Sequence, residues 1–167
     1  AFDAAFGDSP DVHLLLVGDG EEEQGYRKVA AESRSRARIQ FLGHSDRVAD
    51  LMRMSDVFVL PSDNEGLART LMEAMSSGLL AVSTRTPGST ELIRSEVNGF
   101  LCETSVESLT EALARCRQLP NADRIRMTSR ARDMISTEFR LDNRVRQALN
   151  LLDLPAIPIP AESGKLS

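Results

Sequence analysis

Apolar residues along this chain fall into short continuous runs separated by stretches in which they recur every third or fourth position. The runs are "VHLLLV" (12–17), "RIQFLG" (38–43), "DVFVLP" (56–61), "LLAVST" (79–84) and the brief "NGFLC" (98–102). Each is bounded by glycine, proline or short polar residues, which predicts strands; 12–17 and 56–61 read as strands buried on both faces. Between them the helical period predicts helices. "AFDAAFG" (1–7) reads as the last two turns of a helix ended by Gly7, and 21–33 as a polar helix with Glu21, Glu22 and Glu23 in a first turn that favours negative charge. Ser45 is the expected cap of a helix to about Met54. The stretch "PSDNEGLARTLMEAMSSG" (61–78) is amphipathic, with Asp63 or Asn64 as its N-cap and Leu67, Leu71, Ala74, Met75 and Gly78 on the buried stripe. A turn at "TPGS" precedes a short helix near 89–95.

From Thr104 the period is helical throughout. Thr104 and Glu107 have capping-box spacing, and helices are predicted over about 105–118, 121–137 and 140–152. The arginines of these helices read as solvated faces. Residues 154–167 hold prolines and little that could pack, so they read as a tail after one folded unit spanning 1–153. Strands alternating with helices imply an α/β fold, a Rossmann-like doubly wound parallel sheet finished by C-terminal helices. Ligands in such sheets sit beyond the carboxyl ends of the strands, here "GDG" (18–20), "GHS" (43–45), "PSDNEG" (61–66) and "TRTPGS" (84–89).

Composition narrows the function classes. A length of 167 residues suits one domain, and 41% hydrophobic with 27% charged residues is the balance of an ordinary globular chain without a membrane span. The net charge of −5 argues against a nucleic-acid footprint. Cys102 and Cys116 follow no metal-ligand spacing and read as buried thiols in a reducing compartment. A dinucleotide-binding domain is a weaker reading, because "GDG" lacks the third glycine of the fingerprint and no ribose-binding acid stands about 20 residues on.

The chemistry concentrates in 61–78. Gly66 would let a ligand approach the first amides of the helix, where an anion is favoured. Glu65 stands at the mouth and Glu73 further along the helix, on the side away from the apolar stripe. Eight residues of helix rise about 12 Å, whereas two carboxylates acting on one glycosidic bond stand about 5 to 9.5 Å apart. A hydrolase pair is therefore disfavoured. Two acceptors gripping separate hydroxyl-bearing parts of one long ligand, with an anion between them, fit better, and a nucleotide sugar has that layout.

"EGLARTLMEAMSSG" followed by "LLAVSTRTPGSTELI" resembles the signature of two glutamates separated by seven residues in retaining GT-B glycosyltransferases, especially glycosyltransferase family 4. "HLLLVGDGEEE", "RIQFLGHSDRVADLMRMSDVFVLPS" and "VNGFLCETSVESLTEAL" resemble the rest of that family's C-terminal, donor-binding domain, in order and spacing. The resemblance implies that Glu73 accepts hydrogen bonds from ribose hydroxyls and that Glu65 contacts the transferred sugar. It further implies that the amides of Gly66, Leu67 and Ala68, with the Thr70 hydroxyl, hold the diphosphate, and that Gly18 and His44 wall the base. Arg69 could face phosphate or solvent. The donor would be a UDP-, GDP- or ADP-sugar, with no metal or other cofactor required.

Some positions depart from the family. Leu80 stands where many members have proline, and Pro87-Gly88 stands where many have a glycine pair, so an amide donor is lost at 87. Against the family the chain also lacks the first central strand, a basic loop with two phosphate-binding cations, and an N-terminal acceptor-binding domain, its expected partner. Neutralisation of a diphosphate would fall to the helix dipole and to Arg69 or Arg85. The implied protein transfers sugar in polysaccharide or glycoconjugate synthesis, in the cytoplasm, where it could associate with the inner membrane face through the missing half. The alternative is a non-catalytic copy that binds nucleotide or a partner.

Overall fold

The computed structural model describes residues 1–66 and 68–139. The elements run α1 (Phe2–Phe6), β1 (Leu14–Val17), α2 (Glu23–Glu32), a single 3-10 turn at Arg36–Arg38, β2 (Ile39–Gly43), α3 (Val48–Arg53) and β3 (Val57–Leu60). They continue with α4 (Arg69–Ser76), β4 (Leu80–Thr84), α5 (Pro87–Leu92), β5 (Phe100–Cys102), α6 (Val106–Gln118) and α7 (Asn121–Glu138). All strand pairs are parallel, as strand–helix–strand crossovers require. The expected helix at 140–152 and the tail lie outside the described residues.

The strands form two sheets, β1-β2 and β3-β4-β5. Leu14 to Leu16 pair with Ile39 to Phe41 before the register shifts at Val17, and Val57 to Leu60 pair with Leu80 to Ser83. β4 is paired on both sides and every residue in it is buried. β1 and β3 do not pair with each other, so each is a sheet edge. This corrects the expectation that both are covered on both faces: no residue of either is fully buried.

Alternation along β4 divides the core. Ala81 faces Leu71 and Met75 of α4, Leu92 of α5, and Ala131 and Ile135 of α7. Leu80 and Val82 face Phe100 and Cys102 of β5, Ala112 and Cys116 of α6, and Met127. Leu80, the departure from proline, is thus a fully buried strand residue that donates its amide to Asp56 O at 3.3 Å. Truncating the wholly buried Leu71 to alanine is expected to cost about 2 to 5 kcal/mol through lost transfer energy and the cavity left behind. α6 also packs on α1, and Arg117 of α6 reaches Asp11 at 3.2 Å, which ties the two-stranded sheet to the rest.

Local signals place the helix ends, with four corrections. α4 starts at Arg69 with Ala68 as cap, not at Asp63 or Asn64. α3 is capped at Arg47, and Ser45 lies just outside, its hydroxyl accepting the Arg47 amide at 3.1 Å. Ser105 caps α6 by accepting the Ser108 amide at 3.1 Å, so Thr104 and Glu107 form no capping box. α5 begins at Pro87 rather than near 89, because Thr86 and Ser89 make a reciprocal capping box and proline suits the first helical position. α4 ends at Gly78 with φ of +84°. Its amide reaches Met75 O at 3.1 Å and that of Leu79 reaches Ala74 O at 3.1 Å, a Schellman closure that favours glycine there.

Candidate functional site

The predicted residues form two clusters, each at the carboxyl ends of one sheet. On the two-stranded sheet, the Gly18 amide donates to Gly43 O at 2.8 Å, which sets Gly18 beside the loop of His44. The His44 ring is largely exposed, with Nε2 at 3.3 Å from Asp46 Oδ1. On the three-stranded sheet, the loop from Pro61 to Gly66 follows β3 and carries a half-buried Glu65. The Gly88 amide at the start of α5 donates to the Glu65 carbonyl at 2.9 Å, joining this loop to the next strand end.

α4 then opens without a side-chain cap. Its first intrahelical bond runs from the Met72 amide to Ala68 O at 3.1 Å, so the amides of the preceding turn have no intrahelical partner. Those amides and the helix dipole favour an anion. Gly66 is exposed, Ala68 is buried and Thr70 projects from the first turn into solvent. Leu67 lies outside the described residues. Glu73 is exposed on α4, and neither it nor Glu65 has an ion-pair partner among the described residues.

A hollow of about 410 Å³ lies between α3, α4 and α7, bordered by Ala49, Met52, Met72, Glu73, Ser76 and Ile135. It takes in Glu73 but not Glu65, so it does not join the two acids. A second hollow of about 410 Å³ lies at the opposite, amino edge of β5 beside Phe100, Arg115 and Arg126, and includes none of the predicted residues. Of the two candidate cations, Arg85 is engaged with Glu103 at 2.8 Å, while Arg69 is exposed on the first turn of α4 with no ion-pair partner among the described residues. Among the described residues no group of three or more His, Cys, Asp or Glu is arranged to hold a metal ion.

Sequence reasoning missed the hydroxyls behind this site. Ser83, Thr84, Thr86 and Ser89 are all buried at the junction of β4 and α5. The Thr86–Ser89 spacing was the available signal, since a Thr followed three residues later by a hydrogen-bonding side chain is capping-box geometry.

Residues 3–134 match the family described as "Glycosyl transferases group 1". The chain belongs to this family. Among curated relatives it is 35% identical over 139 residues to N-acetyl-alpha-D-glucosaminyl L-malate synthase of Bacillus anthracis, covering 82% of the chain and 36% of the relative. It is 30% identical over 146 residues to UDP-Gal:alpha-D-GlcNAc-diphosphoundecaprenol alpha-1,3-galactosyltransferase of Escherichia coli, covering 85% of the chain and 37% of that enzyme. Among solved structures, Anabaena Alr3699/HepE in complex with UDP-glucose superposes with a TM-score of 0.79 at 26% identity, covering 91% of the chain and 43% of that protein. As a group 1 glycosyltransferase domain the chain has the Rossmann-like fold of such enzymes, and it spans well under half the length of these relatives. None of its described helices is long and apolar enough to cross a membrane.

Proposed function

We propose that this chain is the donor-binding half of a retaining glycosyltransferase, which moves a sugar from a nucleotide-diphosphate sugar to an acceptor held by another domain. The observation that carries the reading is the placement of Glu65 and Glu73 on either side of a helix start with no side-chain cap. The diphosphate would lie on the amides of Gly66, Leu67 and Ala68 with the Thr70 hydroxyl, Glu65 would meet the transferred sugar, and Glu73 the ribose. Gly18 and His44 would wall the base. The HepE complex with UDP-glucose favours a uridine nucleotide as the first donor to test. Catalysis would be mainly positioning, with electrostatic stabilisation of the departing diphosphate.

One edge of each sheet, β1 "LLLV" and β3 "VFVL", is apolar and carries no charge or proline that would protect an exposed edge. They favour a further parallel strand between them, supplied from outside the described residues. The setting would be polysaccharide or glycoconjugate synthesis in the cytoplasm, with any membrane association supplied by that other domain. A second reading, a nucleotide-binding module without transfer activity, is favoured by the hollow that reaches Glu73 and leaves out Glu65.

Calorimetric titration of UDP, UDP-glucose, GDP and ADP into the wild-type chain and Glu73→Ala tests the reading. The expected result is binding of one nucleoside diphosphate that weakens about tenfold in the variant, the loss of one hydrogen bond to a charged group. Equal affinities for the two proteins remove Glu73 from the site. Joined to an acceptor domain, the chain should transfer or hydrolyse sugar in a manner that depends on Glu65; full activity in Glu65→Gln would remove Glu65 from the reacting sugar, and nucleotide binding with no transfer or hydrolysis by the wild-type fusion would assign the chain to the second reading.

A further inference from the structure

The proposed ligand contacts leave the buried hydroxyls between β4 and α5 without a task. Ser83 Oγ donates to Leu60 O at 3.1 Å, and Thr84 Oγ1 donates to Ser62 O at 2.5 Å. Ser89 Oγ donates to Thr84 O at 2.5 Å and accepts the Thr86 amide at 2.9 Å. The Gly88 amide adds its bond to the Glu65 carbonyl. Three of these acceptors, Leu60, Ser62 and Glu65, belong to the end of β3 and the loop that leads to α4.

Filling space does not require this chemistry. Valine has nearly the shape of threonine, and a buried hydroxyl is costly unless it is bonded, so what the cluster contributes is direction. Gly88 makes the same point sterically. A Cβ there would collide with the Gly66 carbonyl oxygen and stand 2.9 Å from its carbon, closer than real Cβ contacts, with the Glu65 carbonyl oxygen tight at 3.0 Å, and the opposing atoms are backbone that must move as a loop. The end of α4 is anchored separately, by the closure at Gly78 and by Arg132, whose Nε donates to Ser76 O at 3.2 Å. The loop bearing Glu65 and the helix bearing Glu73 therefore have different anchors.

We propose that Thr84 and Gly88 are positioning residues that hold the Pro61–Gly66 loop and so set Glu65 against the transferred sugar, an assignment that rests on the donor-binding reading above. In this assignment both act through the loop rather than on the ligand. Their loss should weaken recognition of the sugar and spare recognition of the nucleoside, because Glu73 stays where it is.

The test is calorimetry on the wild-type chain, Thr84→Val, Thr84→Ser and Gly88→Ala, each titrated with UDP and with UDP-glucose, and repeated in a Glu65→Gln background. In Thr84→Val and Gly88→Ala the UDP-glucose dissociation constant should rise about tenfold while that for UDP changes less than about twofold, and Thr84→Ser should restore wild-type values. In the Glu65→Gln background Thr84→Val should have little further effect, since the two act through one contact. A wild-type chain that binds neither ligand overturns the donor-binding reading and the assignment with it. Wild-type binding of both ligands, with losses that fall equally on UDP and UDP-glucose, that are absent, or that persist undiminished in Glu65→Gln, overturns the assignment alone.

Discussion

The Asp3 carboxylate in α1 accepts the Ser33 hydroxyl at 2.6 Å, across thirty residues of chain. It also accepts the amides of Arg34 and Ser35, each at 3.0 Å, so one short side chain joins the first helix to the turn before β2. The Ser33 hydroxyl foremost, then the contact with Ser35, holds the Asp3 carboxyl well below the usual carboxylate range. The folded state thus binds this proton less readily than an unfolded chain, whose Asp titrates near pH ~3.9. Its stabilisation is fully present above that value and is lost as pH falls further toward the folded value. Asp3→Asn should lower stability at pH 7 by about 1 to 3 kcal/mol, and the gap from wild type should narrow steadily between about pH 5 and pH 2. Urea midpoints across that range measure it, and a gap that does not change with pH would remove Asp3 from this role.

Arg38 is a second hub on the same side. Its guanidinium donates to Ser9 O at 2.7 Å, Val12 O at 2.8 Å, Phe6 O and Gly7 O at 3.0 Å, and Ser35 Oγ at 2.9 Å. The four N–H groups of Nη1 and Nη2 serve these five acceptors, Nη2 sharing its two hydrogens among three of them, whereas an ammonium has three and cannot span the set. Arg38→Lys should therefore cost about 1.5 to 3 kcal/mol although the charge is kept. Thermal unfolding of the two proteins at equal pH reads the difference, and unchanged melting would mean that water replaces the lost bonds without penalty.

What could be read from the residues and what could not separates along physical lines. The order of strands and helices was legible because strand runs such as "VFVL" are bounded by proline, glycine or short polar residues. The exposed placement of Glu73 was legible because it lies off a regular apolar stripe. The start of α4 was not: Asp63 and Asn64 have cap chemistry, but the loop around them is held by Thr84 at the end of β4, bonded to Ser62, and by Gly88 at the start of α5, bonded to Glu65, each more than 20 residues from its partner. Nor could local pattern distinguish β4, which is covered on both faces, from β1 and β3, which are not, since burial depends on which strands become neighbours. Arg38 looks like any arginine before a strand; only tertiary structure brings together the carbonyls it serves.

Glu96 stands in the left-handed region at φ of +67°, the only non-glycine to do so among the described residues. The turn that imposes this is closed by its own amide on Gly99 O at 2.7 Å and by Asn98, whose Oδ1 accepts the Arg94 amide at 2.7 Å. The glutamate's ion pair with Arg115 at 3.1 Å is solvent-exposed and contributes at most about 1 kcal/mol. The left-handed conformation costs a side-chain-bearing residue about 1 to 2 kcal/mol, and glycine has no such penalty. Glu96→Gly should accordingly leave stability unchanged or raise it by up to about 1 kcal/mol. A fall of more than that in chemical denaturation would show that the Arg115 pairing outweighs the strain.

Cys102 and Cys116 are buried on the β5–α6 side of the core, and burial foremost pushes both thiols up, Cys116 to about 12. The nucleophile in alkylation is the thiolate, which is scarce at pH 8 when the pKa is raised and is further shielded by packing. Native protein at pH 8 should therefore react with iodoacetamide no faster than it opens, while both thiols should react within minutes in denaturing urea, where they titrate near pH ~8.5. Substituting Leu71 by alanine should speed labelling of the native protein, since a less stable fold opens more often. Mass spectrometry of quenched time points separates the two residues. Rapid native labelling of Cys116, at a rate that rises with pH and is indifferent to Leu71→Ala, would place that thiol within reach of solvent and contradict the packing of α6 on β5.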